Sequence, residues 1–223
     1  MARPQAEKSR ILIVEDHPLF REGLRQMIDR NAALTVCGQA GDATSAMRAV
    51  AELKPDLVLV DISLEGSNGI DLIKNLKATC DELPILVISM HDESLYAERA
   101  LRAGALGYVM KNEPARTVKA AIFKVLGGDI FLSEKMSTSV LAKLMRGKPE
   151  RPVSPIEQLS DRELEVFQMM GEGKPTRQIA EELNLTIPTI HSFRNRIKEK
   201  LQLKNSSEMM LHAMQWVREH VAN

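Results

Sequence analysis

The chain has 223 residues, of which 44% are hydrophobic and 27% charged, and its formal net charge at pH 7 is zero. This composition is typical of globular proteins and excludes a largely disordered chain, and the length suffices for two modest domains. The sequence has no apolar leader and no run of about 18 apolar residues, so we expect a cytoplasmic protein without a membrane span. Cys37 and Cys80 lack metal-ligand spacing and are expected to be buried or partly buried thiols.

Short apolar runs alternate with segments of helical periodicity between residues 10 and 126. The pattern predicts strands near 10–15, 34–40, 56–61, 83–89 and 106–110, and helices around 18–30, 43–53, 70–78, 93–103 and 115–126. Such alternation is typical of repeated βαβ units. We therefore predict an α/β fold with five parallel strands.

Polar residues stand where four of these strands end. Glu15 and Asp16 follow the first strand, Asp61 ends the third, Ser89 the fourth and Lys111 the fifth. Because the carboxyl ends of parallel strands meet at one edge of a sheet, these side chains are expected to converge. Clustered carboxylates repel one another unless a cation neutralises them, so the pattern predicts bound Mg2+ and, with Lys111, a phosphoryl site. An Asp61 oxygen can then attack phosphorus and form an aspartyl phosphate.

A structural interpretation of single members of this set is also open. An aspartate at a strand end is more often a helix cap, and a lysine by itself often forms only a salt bridge. The occurrence of all five polar groups at the right strand ends favours the functional interpretation. His17, beside the acids, is interpreted as a helix-start residue rather than a metal ligand.

This pattern resembles the receiver domain of two-component response regulators over residues 10 to about 126. Gly69, eight residues after Asp61, and Tyr108, three residues before Lys111, also match the family. The resemblance implies a flavodoxin-like, doubly wound sheet with strand order 2-1-3-4-5. It implies the following roles: Asp61 as phosphoacceptor; Asp16, Asp61 and the Ser63 backbone carbonyl as Mg2+ ligands, with Glu15 assisting through water; Lys111 as phosphoryl contact; Ser89 and Tyr108 as switch pair.

Three residues depart from the receiver pattern, one of them Asn112, which follows Lys111 where single-domain receivers commonly have proline. Glu65 stands where receivers usually have proline, which changes the loop after Asp61 and adds negative charge near the site. Met90 is larger than the usual residue at its position, so we expect slower access to the phosphoryl group.

The second half of the chain lacks strand patterns. A short helix is predicted from Ser133 to Met145, followed by a proline-rich linker over 147–155 and then four helices from Leu159 onward. Residues 176–201 predict two helices joined by a tight turn, with Thr186 as N-cap of the second and Pro188 in its first turn. The predicted buried stripe of the second helix consists of Ile190, Phe193, Ile197 and Leu201.

The opposite face of that helix is polar and basic. Residues 186–205 contain five Lys and Arg side chains against Glu199 alone. This face is suited to a DNA groove, although on charge alone a solvated helix face explains it equally well. Its members are Thr189, His191, Ser192, Asn195, Arg196 and Lys198.

The second half resembles the LuxR-type DNA-binding domain. The match rests on 159–166, Gly173, 179–183, Thr186, 189–190 and 200–201. A receiver followed by this domain is the architecture of NarL/FixJ-family response regulators, with expected boundaries of 9–127 for the receiver, 128–156 for the linker and 157–221 for the helix-turn-helix domain. By this resemblance the base readers are His191, Ser192 and Asn195, and the backbone contacts are Arg177, Thr189, Arg194, Arg196 and Lys198.

The expected function is that of a bacterial transcription factor and not an enzyme, apart from slow autodephosphorylation. The resemblance implies a sensor histidine kinase and promoter double-stranded DNA as partners. It is also compatible with RNA polymerase as a further partner. Phosphorylation is expected to change dimerisation or interdomain contacts. The last helix carries a stripe that fits either core packing or a dimer contact: Met209, Met210, Ala213, Met214 and Val217.

The sequence also bears on two other classes of function. An aspartyl phosphatase resembling haloacid dehalogenases needs a second aspartate at position 63, where this chain has serine. A DNA-binding regulator that works without phosphorylation, with a receiver used only for assembly, is the remaining alternative.

Overall fold

The computed structural model describes residues 7–64, 66–138 and 155–220. Of residue 220, only the backbone is described. The described residues fall into two compact units, divided between Thr138 and Ser139. Glu65, most of the predicted linker and the predicted helix beyond residue 138 lie outside the described residues, whereas residues 134–138 are helical.

The first unit contains one parallel sheet. Its elements are β1 (Ser9–Val14), α1 (Pro18–Asp29), β2 (Leu34–Ala40), α2 (Ala43–Leu53), β3 (Leu57–Val60), β4 (Ser63–Leu64), β5 (Ser67–Asn68), α3 (Gly69–Thr79), β6 (Ile85–Ser89), α4 (Glu93–Ala103), β7 (Gly107–Met110) and α5 (Ala115–Leu126). The sheet order is β2-β1-β3-β6-β7, and β4 pairs with β5 in a separate antiparallel ribbon. The predicted five-stranded α/β fold and its strand order are confirmed.

Helices cover both faces of the sheet because its central strands are apolar on both sides. Ile11 and Ile13 of β1 lie in one cluster with Leu24 of α1 and Ile122 of α5. Alternate residues of a strand point to opposite faces, and Leu12 between them is also fully buried. Burial of such strands is favoured by roughly 25 cal/mol per Å² of apolar surface.

The helices α2, α3 and α4 each begin at a polar side chain that accepts a backbone hydrogen bond. Asp42 caps α2, Asn68 caps α3 and Asp92 caps α4. Each satisfies an amide that the first helical turn leaves without a partner. These caps fix the points at which the loops above the sheet turn into helices.

The predicted burial of the cysteines is correct only for Cys37, which is partly buried in β2. Cys80 is exposed, because it lies just past the last turn of α3 and its side chain has left the packed face of that helix.

The described residues of the second unit form helices joined by turns, without a strand. A 3-10 turn at Pro155–Gln158 precedes α6 (Asp161–Gly171), α7 (Thr176–Glu182), α8 (Ile187–Lys200) and α9 (Ser206–His220). The four predicted helices are confirmed. A Cβ on Gly171 would lie 2.3 Å from the Ala213 carbonyl oxygen, so glycine lets α6 and α9 approach closely. The core between the helices includes Leu164, Phe167, Ile179, Ile190, Ile197, Met209, Ala213 and Trp216.

Candidate functional site

Acidic side chains converge at the carboxyl ends of β1 and β3. One ligand atom from each of Glu15, Asp16, His17 and Asp61 lies within 4.8 Å of the others. Glu15 and Asp61 are buried, at 0% and 1% exposure, whereas Asp16 is half-buried and His17 exposed. The predicted convergence is therefore present, and its position follows from the adjacency of β1 and β3 in the sheet.

Lys111 supplies positive charge to this cluster from the end of β7. Its Nζ lies 2.7 Å from Asp61 Oδ2 and 2.6 Å from Glu15 Oε2. The ammonium group also lies 4.7 Å from the centre of the Phe20 ring, close enough for a cation–π contact. Sequence patterns missed Phe20, because an apolar residue on α1 has the same signal whether it faces the core or a lysine.

Lys111 does not fully neutralise the carboxylates of the cluster, so a further positive charge at this position would be favourable. Burial raises the pKa of both Asp61 and Glu15, and Asp61 raises that of Glu15 further, despite the opposing effect of Lys111. The pKa of Lys111 is raised, because Asp61 and Glu15 outweigh the effect of its burial. Asp61 Oδ1 is buried and has no hydrogen-bond partner among the described residues. A divalent cation would satisfy such an oxygen, so the donor set fits a hard metal ion.

Gly69 fixes the loop beneath the cluster. A Cβ at this position would lie 2.0 Å from the Asp61 carbonyl oxygen and 2.7 Å from Ile62 Cα. The Gly69 amide donates to the Ile62 carbonyl at 2.8 Å, which closes the loop that contains the β4–β5 ribbon. The glycine is therefore required by a close backbone approach.

Ser89 ends β6, and Tyr108 lies near the start of the neighbouring strand β7. Both are buried, and the Tyr108 hydroxyl donates to the His91 carbonyl at 2.7 Å. Burial raises the pKa of Tyr108 well above its ordinary value. Tyr108, which the resemblance assigns to a switch pair with Ser89, thus already points inward in this structure.

His91 is a further residue that sequence patterns missed. Its Nε2 lies 2.8 Å from Ser63 Oγ, its amide donates to Ser89 Oγ at 3.3 Å, and its ring centre lies 4.5 Å from that of Tyr96. The residue therefore connects the loop after Asp61 with the loop after Ser89. Its position two residues beyond Ser89 was the available signal. Met90 between them is 68% exposed.

The second unit presents α8 as a candidate nucleic-acid surface. Thr186 caps this helix by accepting from the Thr189 amide, and Pro188 lies in its first turn, as predicted. His191, Ser192 and Asn195 are exposed, together with Arg196. Ile190, Ile197 and Leu201 are buried as predicted, but Phe193 is only half-buried, and the Arg196 guanidinium lies 6.0 Å from the centre of its ring.

The remaining predicted backbone contacts have different surroundings. Arg194 Nη1 donates to Thr176 Oγ1 at 2.6 Å and so connects α8 with the start of α7. Arg177 is exposed and pairs with Glu181 one turn along α7. Thr189 and Lys198 are half-buried on α8. The structure thus places the predicted set on α7 and α8, with Arg194 partly engaged inside the unit.

The apolar residues of α9 divide between two faces. Met209, Ala213 and Trp216 are buried against the other helices, whereas Leu211 and Met214 are 69% and 44% exposed. Met210 and Val217 lie at the boundary. Core packing therefore explains only part of the predicted stripe.

Comparison with known proteins identifies this arrangement. Residues 11–123 match the family described as the response regulator receiver domain, and residues 157–213 match the bacterial regulatory proteins of the luxR family. The chain belongs to the response regulators. This response regulator combines a receiver domain with a LuxR-type DNA-binding domain, as predicted, and proteins of this kind are generally DNA-binding regulators of transcription rather than enzymes.

Relatives of the response regulator match it over most of its length. Oxygen regulatory protein NreC of Staphylococcus haemolyticus is 30% identical over 209 residues, which cover 92% of this chain and 96% of NreC. A LuxR-family two-component response regulator from Aurantimonas sp. SI85-9A1 is 33% identical with a TM-score of 0.58, and the match covers 62% of this chain and 99% of that one. A structure of two RcsB dimers bound to two parallel DNAs is 25% identical with a TM-score of 0.56, over 92% and 97% of the chains.

No helix in the described parts of the response regulator is both long and apolar enough to cross a membrane.

Proposed function

We propose that this response regulator accepts a phosphoryl group on Asp61 from a sensor histidine kinase and controls transcription by binding promoter DNA through α8. The observation that carries the proposal is the Asp61 carboxylate, buried at the end of β3 with Lys111 Nζ at 2.7 Å from one oxygen and no partner on the other among the described residues. A buried carboxylate fixed in this way is preorganised as a nucleophile.

In the transfer, an Asp61 oxygen bonds to phosphorus while the bond between phosphorus and the histidine nitrogen of the kinase breaks. The product is an acyl phosphate, which is expected to hydrolyse slowly without a further enzyme. Lys111 Nζ lies between Asp61 and Glu15, so it can exchange a carboxylate contact for a phosphoryl oxygen without leaving the site. Asp16, Asp61 and the Ser63 backbone carbonyl would hold Mg2+, with Glu15 assisting through water. When bound, the ion supplies positive charge that lowers the repulsion between the carboxylates and the incoming phosphoryl oxygens.

Ser89 and Tyr108 form the proposed switch. The phosphoryl group adds charge and acceptor oxygens, toward which the Ser89 hydroxyl turns. Tyr108 already points inward and donates to the His91 carbonyl, so phosphorylation is proposed to strengthen a preference for this conformation. Ser89→Ala is then expected to separate phosphorylation from DNA binding.

The output domain is proposed to act as a homodimer in the cytoplasm, with RNA polymerase as a further partner. Exposed Leu211 and Met214 on α9 support a contact between two copies of the chain. The RcsB structure, described as dimers bound to DNA, supports the same arrangement. We propose domain limits of 9–127 and 157–221, joined by a linker over 128–156 whose interdomain contacts or effect on dimerisation respond to phosphorylation.

The test is the intact mass of the full chain after incubation with acetyl phosphate and MgCl2, with gel filtration of the same samples. Wild type is expected to gain one phosphoryl group, and Asp61→Asn none. Asp71→Asn removes an exposed aspartate of α3 and is the matched control. Chelation of Mg2+ is expected to abolish the modification.

Equal modification of wild type and Asp61→Asn would contradict the assignment of the phosphoacceptor. If acetyl phosphate modifies neither protein, the samples are repeated with histidine kinases, because Met90, exposed beside Ser89, is expected to slow the access of small donors. Failure with every donor would favour the regulator that works without phosphorylation.

A further inference from the structure

His17 lies where a histidine ring faces the acidic cluster. It is the N-cap residue of α1, but its side chain makes no capping hydrogen bond. Instead, its Nδ1 lies 2.7 Å from Asp16 Oδ1 and 3.2 Å from Glu15 Oε1, while the ring is 70% exposed. The backbone amide of His17 also donates to Glu15 Oε1, at 3.1 Å. The side chain is therefore turned back from the helix toward the carboxylates.

The size of the group fits one coordination sphere. The ligand atoms of Glu15, Asp16, His17 and Asp61 lie within 4.8 Å of one another. Opposite ligands of an octahedral ion with bonds of about 2.1 Å are separated by about 4.2 Å. Asp61 Oδ1, buried and without a partner among the described residues, is an independent indication of a cation at this position.

The ligand atom of His17 is a nitrogen, whereas those of Glu15, Asp16 and Asp61 are oxygens. Mg2+ prefers oxygen ligands only, whereas imidazole nitrogen is a good ligand for divalent transition metals, with affinity rising from Mn2+ through Co2+ to Ni2+. A metal that accepts nitrogen can take the place of the close contact between His17 Nδ1 and Asp16 Oδ1. The ring proton then resides on Nε2.

We propose that the His17 imidazole is a ligand of the divalent-metal site in this receiver and shifts its preference from Mg2+ toward transition metals. The inference rests on the proposed function, because it deepens the metal site that the proposed function invokes. His17 was interpreted from the sequence as a helix-start residue; the structure gives it that position and adds the contacts with the acids.

The test uses Mn2+ bound to the full-length, tag-free chain and pulsed electron paramagnetic resonance. Nitrogen-14 coupling of a directly bound imidazole is expected in wild type and is expected to be lost in His17→Gln. His91→Gln is the matched control, because His91 is the imidazole that contacts Ser63 beside the same site. This control is expected to retain the coupling, and nitrogen-15 labelling of histidine is expected to change its pattern.

Metal affinity gives a second readout. His17→Gln is expected to weaken Mn2+ binding by roughly tenfold or more and to leave Mg2+ binding within about twofold, since Mg2+ gains little from nitrogen. Calorimetric titration of each ion into the same proteins measures both effects.

Two outcomes would overturn the inference. Bound Mn2+ without nitrogen coupling, or with the same coupling in His17→Gln, rejects His17 as a ligand and leaves the proposed phosphoacceptor site intact. Failure of wild type to bind Mn2+, under conditions where Asp61→Asn also fails, rejects the inference together with the proposed metal site.

Discussion

The position of the Asp61 carboxylate depends on the geometry of the neighbouring backbone as well as on side-chain contacts. The Asp61 carbonyl oxygen faces Gly69 so closely that no Cβ fits between them. The two carboxylate oxygens have different surroundings, since Oδ2 contacts Lys111 and Oδ1 is without a partner among the described residues. At the scale of the residue, the site is therefore one carboxylate fixed by a glycine below and a lysine beside it.

Gly69→Ala is expected to lower the free energy of unfolding of the receiver by about 3 kcal/mol, because the added methyl group overpacks against backbone that cannot move freely. Urea unfolding followed by circular dichroism measures the effect. Gly23→Ala is the matched control, because a Cβ at Gly23 of α1 meets no atom within 4 Å. That variant is expected to be neutral or more stable by up to about 1 kcal/mol. Equal stability of Gly69→Ala and Gly23→Ala would contradict the close approach.

At the scale of the element, side-chain contacts at the helix ends connect the helices of the second unit. Ser160 accepts from the Glu163 amide and Glu163 accepts from the Ser160 amide, so α6 begins with a capping box. Lys200, in the last turn of α8, donates to Glu163 at 2.6 Å and to the Gln158 carbonyl at 3.1 Å. One buried carboxylate thus connects the start of α6 with the end of α8.

Glu163→Gln is expected to destabilise the second unit by about 1 kcal/mol at pH 7. Burial acts to raise the pKa of Glu163, but the Lys200 ammonium and the Ser160 amide outweigh it and lower the pKa below 4.5. A lowered folded-state pKa stabilises the fold above the unfolded pKa, and this contribution is lost as pH falls through the folded-state value. The difference between wild type and variant is therefore expected to decrease as pH falls below about 4.5 and to vanish below the folded-state pKa of Glu163.

The measurement follows Trp216 fluorescence in urea at several pH values, since Trp216 is the only tryptophan of the chain and is buried in this unit. Glu157→Gln, at an exposed carboxylate in the preceding turn, is the control and is expected to match wild type at every pH. If the difference in free energy of unfolding between wild type and Glu163→Gln stays constant into acid, the negative charge of Glu163 does not contribute to stability.

The exposed face of α8 leads to a prediction about DNA affinity. Arg196→Ala is expected to reduce the slope of log affinity against log salt by about 1, because it removes one phosphate contact. Asn195→Ala is expected to weaken binding at an unchanged slope, because a base contact releases no counterion. Fluorescence anisotropy with duplexes selected by wild type from a random library measures both, with Lys119→Ala in the receiver as control. An unchanged slope in Arg196→Ala would contradict its role.

Assembly belongs to the scale of the whole molecule, where two copies of the chain are proposed to meet on DNA. Leu211→Asp is expected to reduce the number of protomers on one duplex from two to one, because it places a charge in an apolar contact between the copies. Sedimentation of the protein with selected DNA measures this number. Glu219→Lys changes charge at another exposed position of α9 and is expected to retain two protomers. Two protomers with Leu211→Asp would move the dimer contact away from α9.

The five strands of the parallel sheet, the main helices of both units and the class of the protein followed from the sequence by itself, whereas the short β4–β5 ribbon did not. Apolar strands ending in Glu15, Asp16, Asp61, Ser89 and Lys111 predicted both the parallel sheet and the edge at which these residues converge. They did so because buried parallel strands need continuous apolar runs and because their carboxyl ends must meet. Thr186 and Pro188 likewise predicted the start of α8 through the chemistry of a helix terminus.

Tertiary structure alone decided which atoms meet. The contact of His91 with Ser63 joins residues 28 positions apart, and that of Arg194 with Thr176 joins residues 18 apart. Periodicity assigns a side chain to a face of a helix but does not state what covers that face. For this reason Met209 is buried while Leu211 is exposed on the same helix, and His17 was predicted as a helix start although its ring faces the carboxylates.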